Sequence, residues 1–133
     1  MRAAAGISLA VAAALIMGAS AQEEKGTVSF KNDVFPIIKQ NCLPCHAEES
    51  FNPSELSLDT YAALMEGGKH GLPVVAGKPS ESIMVQKLSK KPPFGDPMPL
   101  AKKKPDGTVD QREIPAKDLA VIRAWIDQGA KDN

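Results

Sequence analysis

The sequence predicts an all-α fold: several short helices and long loops, wrapped around something other than its own side chains. Three observations lead there. Apolar residues recur at helical spacing in short stretches that proline and glycine keep cutting off, and no stretch reads as a strand. Aromatic residues make up only 5% of the chain, thin filling for a core of this length. Both cysteines fall in one pentapeptide, Cys42-Leu43-Pro44-Cys45-His46.

The chain opens with Arg2, runs through small apolar residues from Ala3 to Met17, and reaches Ala19-Ser20-Ala21 before the polar Gln22. A charged start, a short apolar run and an A-x-A ending make residues 1–21 a secretory signal peptide, cleaved after Ala21. A membrane-spanning helix would need about 20 apolar residues, and no later segment supplies them. The mature chain is therefore expected in the periplasm or another extracytoplasmic space, not spanning the membrane. Residues 22–28 read as a charged, flexible lead-in and 29–133 as one domain. The whole chain carries 16 basic and 16 acidic residues. Cleavage removes only Arg2, leaving one acid in excess. A nucleic-acid binder would carry a basic excess, so no nucleic-acid partner is expected, and the protein is read as a monomer.

The first helix is expected to start after Asn32 or Asp33, either of which can cap it. Pro36 then sits in the first turn, where its missing N–H matters little. Val34, Phe35, Ile37 and Ile38 give it an apolar face leading straight into the cysteines. From His46 to Pro53 the chain is polar. Leu56, Leu58, Tyr61, Leu64 and Met65 then mark a helix starting near Asp59 or Thr60 and stopped by Gly67-Gly68. Residues 69–79, with His70 between glycine-rich neighbours, read as a loop. Ser80 can cap a third helix with Ile83, Met84, Val85 and Leu88 inward, ending before Pro92-Pro93. Residues 92–113 form a long loop with Met98 inside it, and loops of that length are usually functional. The last helix runs from about Pro115 to Gln128, with Leu119, Ile122, Trp125 and Ile126 on one face and Gly129 as terminator.

C-x-x-C-H is the pattern of covalent c-type haem attachment. Two thiols three positions apart on a helical turn can each add to a porphyrin vinyl group, and the adjacent His46 is then delivered to the iron. Thioether links keep the cofactor from dissociating. A Cys42–Cys45 disulfide, structural or redox-active, is a second reading, because oxidising compartments favour it. It leaves His46 without a role, and no strand precedes Cys42 as in a thioredoxin-like unit. A tetrahedral zinc site is a third reading, poorly supplied by two thiols and two histidines.

An iron bound by one histidine has a second axial position. Met98 lies in Asp96-Pro97-Met98-Pro99-Leu100, where the prolines exclude helix and stiffen an extended loop. A thioether there favours the reduced ion and raises the potential. Met65 and Met84 sit among aliphatic residues at helical spacing, where methionine is usually core filler. His70 would give a bis-histidine iron of lower potential, and an open sixth site is a further option.

Taken together, Val28 to Ala130 resembles the Planctomycete-type cytochrome c domains, a branch of the class I cytochromes c. The matching pieces are the approach from Phe30 to His46, Leu58-Asp59 ahead of a helix ending in Gly67-Gly68, and the turn Ala76-Gly77-Lys78-Pro79-Ser80-Glu81-Ser82. Met98-Pro99 and the closing stretch from Ile122 to Ala130 with Trp125 complete them. The resemblance implies a small class I cytochrome c fold around one haem c, attached at Cys42 and Cys45, with iron between His46 and Met98. It implies electron transfer rather than enzymatic turnover. It also implies that the first and last helices cross, bringing Phe35 near Trp125. Two departures stand out. Ile114 occupies a position where the family tends to offer a capping threonine, so the last helix is expected to fray at its start, and a lysine-rich insert follows Met98.

The function expected is an exported one-electron carrier whose partners are redox proteins: an oxidase, a reductase or a dehydrogenase. Lys87, Lys90, Lys91 and Lys102 to Lys104 flank the ligand loop and could steer docking onto an acidic surface. The alternatives are a haem sensor or small-ligand binder with a displaceable sixth ligand, and a haem-free exported thiol oxidoreductase.

Overall fold

The computed structural model describes residues 26–133. The signal peptide expected over 1–21 and most of the lead-in lie outside the described residues. Four short helices dominate: α1 (Phe35–Asn41), α2 (Tyr61–Glu66), α3 (Ile83–Lys87) and α4 (Ala116–Asp127). A wide π-turn, Phe30–Val34, runs directly into α1, and a 3-10 turn, Pro79–Glu81, precedes α3.

The first helical segment starts earlier than Asn32 or Asp33. Ser29 is the cap: its hydroxyl accepts the Asn32 N–H at 3.1 Å, while the Asp33 carboxylate accepts the Ser29 N–H at 2.8 Å. This reciprocal pairing satisfies donors that a helix start leaves free. Pro36 has no N–H for the Asn32 carbonyl, and its ring would crowd that carbonyl in a tight turn. A wider turn upstream relieves both. Thr60 caps α2 as expected, its hydroxyl accepting the Ala63 N–H at 3.1 Å, and Gly67 ends it at φ 84°. Helix α3 is not capped by Ser80. That residue lies in the 3-10 turn, and Ser82 precedes the helix, fully buried, accepting the Val75 N–H and donating to the Lys78 carbonyl, both at 2.9 Å.

At α4, Pro115 takes the cap position without a side-chain bond. Ile114 contributes burial instead of a cap, being 8% exposed within the core. That core contains Val34, Ile38, Leu64, Ile122, Trp125 and Ile126. Helix α4 packs against the π-turn and touches α3 and the 3-10 turn. The expected approach of Phe35 to Trp125 is corrected by one helical turn. Phe30 holds that place, 5.3 Å from the Trp125 ring and 5.2 Å from Tyr61, whereas Phe35 is half-buried beside it. Starting the helix at Phe30 turns that ring, not Phe35, toward α4. The buried Trp125 indole donates to the Lys131 carbonyl and the Tyr61 hydroxyl to the Ala130 carbonyl, both at 2.9 Å, as buried amphipathic rings require.

Asn133 ties the two ends of the described chain together. Its side-chain oxygen accepts the Phe30 N–H at 2.9 Å, and its carbonyl accepts from the Lys31 N–H at 3.0 Å and the Ser29 hydroxyl at 2.7 Å. Beside it, Gln128 accepts the Val28 N–H at 2.8 Å.

One expectation fails outright in the lysine-rich segment, read as a loop without strands. Lys102–Lys103 (β1) pairs antiparallel with Val109–Asp110 (β2). Pro105-Asp106-Gly107-Thr108 closes the hairpin: Gly107 sits at φ 85°, and the Asp106 carboxylate accepts both the Thr108 N–H at 2.9 Å and the Thr108 hydroxyl at 2.6 Å. These bonds hold the Asp106 carboxyl below its ordinary value.

Candidate functional site

Helix α1 ends by delivering the cysteine pentapeptide. The Cys42 N–H still donates to the Ile38 carbonyl at 2.8 Å, and the His46 N–H donates back to the Cys42 carbonyl at 3.1 Å, so the pentapeptide closes as one more turn. This turn, the loops 53–58 and 68–73, helix α3 and the loop 94–102 surround a cleft of about 480 Å³. Cys42, Cys45, His46 and Met98 all line it, brought together from two distant parts of the sequence. Its volume and largely apolar lining are those of a cofactor or ligand site.

The orientation of His46 is fixed from behind. Its Nδ1 lies 3.1 Å from the Leu56 carbonyl, and a carbonyl only accepts, so Nδ1 carries the proton and Nε2 keeps its lone pair for a metal. The Leu56 carbonyl is in turn steered by the Asn52 side-chain amide, whose oxygen accepts the Ser54 N–H and hydroxyl in an Asx turn. Leu58 N–H closes the arrangement on the His46 carbonyl at 2.8 Å.

The two thiols differ. Burial pushes the Cys42 thiol up to about 11, against a smaller opposing pull from the Arg112 guanidinium, whereas Cys45 is exposed. Both are free thiols. Among the described residues no three His, Cys, Asp or Glu side chains gather to hold an ion, which leaves the zinc reading without a ligand set.

Met98 is half-buried, its N–H donating to the Lys87 carbonyl at 2.7 Å. The neighbouring loop is strapped by the Lys87 side chain, which donates to the Phe94 carbonyl at 2.7 Å and to the Asp96 carbonyl. Of the rival ligands, Met84 also lines the cleft but packs from α3 against the core, and Met65 is not on the cleft wall. His70 lines the cleft too, exposed and stacked on Phe94 with ring centroids 4.1 Å apart.

Sequence reasoning missed three contributors. The Leu56 carbonyl carries no side-chain signal, although the turn former Asn52 near it does. Lys87 reads in sequence as one of the docking lysines, with no sign of a loop strap. Arg112 sat inside a charged run, yet it is half-buried on the cleft wall, and among the described residues its guanidinium has no hydrogen-bond or ion-pair partner. The donor set fits haem c: two thiols, an imidazole with a free nitrogen, a thioether, an apolar wall and one unpaired cation. No helix among the described residues is long and apolar enough to cross a membrane.

Residues 42–99, from the first cysteine to Pro99, match the family model described as Planctomycete cytochrome C, as the sequence resemblance implied. No curated protein matches the chain. Among solved structures the chain is similar to one titled Kuenenia stuttgartiensis Hydrazine Synthase, at 26% sequence identity and a TM-score of 0.48. The match covers 78% of this chain and spans only 16% of that one.

Proposed function

We propose, from the match of residues 42–99 to the Planctomycete cytochrome C family model, that the chain is a c-type cytochrome: a one-electron carrier, not an enzyme, built on a single haem c. The observation that carries this reading is the shared cleft, on which a back-bonded His46 and the loop-borne Met98 meet both thiols. Cys42 and Cys45 would hold the cofactor by thioether bonds, His46 Nε2 and the Met98 sulfur would bind the iron, and Arg112 would neutralise a haem carboxylate. Bound there, the haem supplies a ferric/ferrous couple whose potential a thioether ligand raises. The Leu56 carbonyl keeps His46 in one tautomer and one orientation, so neither oxidation state requires the ligand to turn. Met98 is preferred to Met84 because a backbone bond to Lys87 presents it from a loop, while Met84 is packed against the core.

The carrier would be exported, monomeric and periplasmic. It would dock on the acidic surface of an oxidase, a reductase or a dehydrogenase through Lys91 and Lys102 to Lys104, all exposed. Lys90 already faces Glu113 at 3.4 Å, and Lys87 is turned to the cleft. A thiol oxidoreductase needs a thiol that ionises easily, and burial drives Cys42 the other way.

The test is an optical one. Holoprotein is expected to give a low-spin c-type spectrum with the long-wavelength sulfur-to-iron band in the ferric state. Met98→Ala should remove that band and lower the potential while the pigment stays covalently attached. A colourless purified protein would leave the thiol oxidoreductase. A Met98→Ala spectrum identical to wild type would leave Met84, His70 or an open site, and with the last a haem sensor.

A further inference from the structure

We propose that Lys87 is a positioning residue, a latch that holds the Met98 segment on the cleft and thereby keeps external ligands from the sixth position. The inference rests on the reading of Met98 as an iron ligand, and it concerns what keeps that ligand in place.

Lys87 closes α3 and acts on the loop in two ways. Its main-chain carbonyl accepts the Met98 N–H at 2.7 Å. Its ammonium reaches back over the same loop and donates to the Phe94 carbonyl at 2.7 Å and to the Asp96 carbonyl, while standing 4.8 Å from the centre of the Phe94 ring. An ammonium has three donors and accepts nothing, so two carbonyls and an aromatic face account for its bonding. The two carbonyls flank Gly95, whose φ of 54° is a left-handed conformation that glycine adopts without strain. That turn is what aims both carbonyls at one nitrogen. Phe94 is seated on its own account by the stack with His70. The loop 92–100 has no helix or strand of its own, so one lysine supplies much of the order around Met98.

The chemistry assigned to Lys87 differs from that of the other lysines flanking the loop. Lys91 and Lys102 to Lys104 are exposed, and Lys90 meets only an exposed glutamate. Removing any of them changes charge, whereas removing Lys87 frees two carbonyls and loosens the backbone that bears Met98. Hydrogen bonds from charged donors are the strong ones, so losing two of them shifts the balance between a held and a released loop by roughly tenfold or more.

The experiment compares wild-type holoprotein with Lys87→Met, which keeps the apolar stem and loses the donors, and with Lys90→Met, which removes the same charge elsewhere. Two quantities are read: affinity of the ferric protein for imidazole, which competes for the sixth position, and amide hydrogen exchange of peptides covering 92–100 and 42–58. Lys87→Met is expected to bind imidazole roughly tenfold more tightly. Its 92–100 peptides should exchange faster, those from 42–58 should be unchanged, and Lys90→Met should behave as wild type. Unchanged exchange at 92–100 in Lys87→Met overturns the latch. So does faster exchange with unaltered imidazole affinity in a protein whose wild type shows the sulfur band, because the lysine then orders the loop without guarding the ligand. A wild type without the sulfur band sinks the Met98 reading, and the exchange measurement alone then judges the latch. Should Lys87→Met not yield holoprotein, Lys87→Gln, which can reach one carbonyl rather than two, is read the same way with a smaller shift.

Discussion

The two segments that carry His46 and Met98 to the cleft are built differently. His46 follows a helix, lies four residues from the start of a cysteine pentapeptide, and is fixed by neighbours close in sequence: the Cys42, Leu56 and Leu58 backbone and the Asn52 turn. Ile38, whose carbonyl accepts the Cys42 N–H, and Leu58, whose N–H donates to the His46 carbonyl, are both buried. Met98 comes from a loop whose order depends on one lysine of another element and a stack between Phe94 and His70. His46 thus rests on local geometry and core packing, whereas Met98 rests on a few polar contacts that can be released singly.

The largest test of that contrast removes what both segments share. Cys42→Ala with Cys45→Ala should give a protein without covalent pigment. Burial of roughly 400 Å² of apolar porphyrin is worth on the order of 10 kcal/mol, as much as the whole net stability of a small domain. The haem-free chain is therefore expected to show no cooperative thermal transition by circular dichroism, and a sharp one would mean that the protein core suffices alone. Next in size is the core beneath the His46 side. Phe30→Ala empties the space beside Trp125 and Tyr61 and should cost about 3–5 kcal/mol in denaturant unfolding of the holoprotein. The sulfur band should persist under native conditions, and its loss would show that Met98 depends on the same core.

The smallest effect lies at the hairpin beyond Met98. Thr108 holds the Asp106 carboxyl below its ordinary value, so the folded hairpin takes up that proton less readily than the unfolded chain. Its stabilising effect is complete above the ordinary aspartate range and fades as pH falls through the lowered value. Thr108→Val should bring the Asp106 titration back toward normal and narrow that pH window, as followed by NMR, with the His46 segment unaffected. An Asp106 titration that does not move would assign the shift to something other than Thr108.

What was legible in the sequence follows the same division. The pentapeptide, the Thr60 cap, the Gly67 stop and the inward Trp125 face are local patterns, and each stands where its residues indicated. The start at Ser29 is hard to read because its partner, the Asp33 carboxylate, is by residue type an equally good cap. Ser82 replaced Ser80 because a buried hydroxyl found backbone partners at Val75 and Lys78, a contact with no local signature. The hairpin carried a warning in Pro105-Asp106-Gly107, a turn sequence hidden by the lysines around it. Lys87 reads as one of the docking lysines because only the folded loop reveals the two carbonyls that its ammonium meets.

Asn133, finally, gives the molecule a mechanical property. With Gln128 it grips residues 28–31 through backbone and side-chain hydrogen bonds. A pull applied at both ends of the described chain is borne by those bonds together, before it can travel along α4 or α1 toward the cleft. Load on either end is then spent on the grip while the cleft keeps its shape.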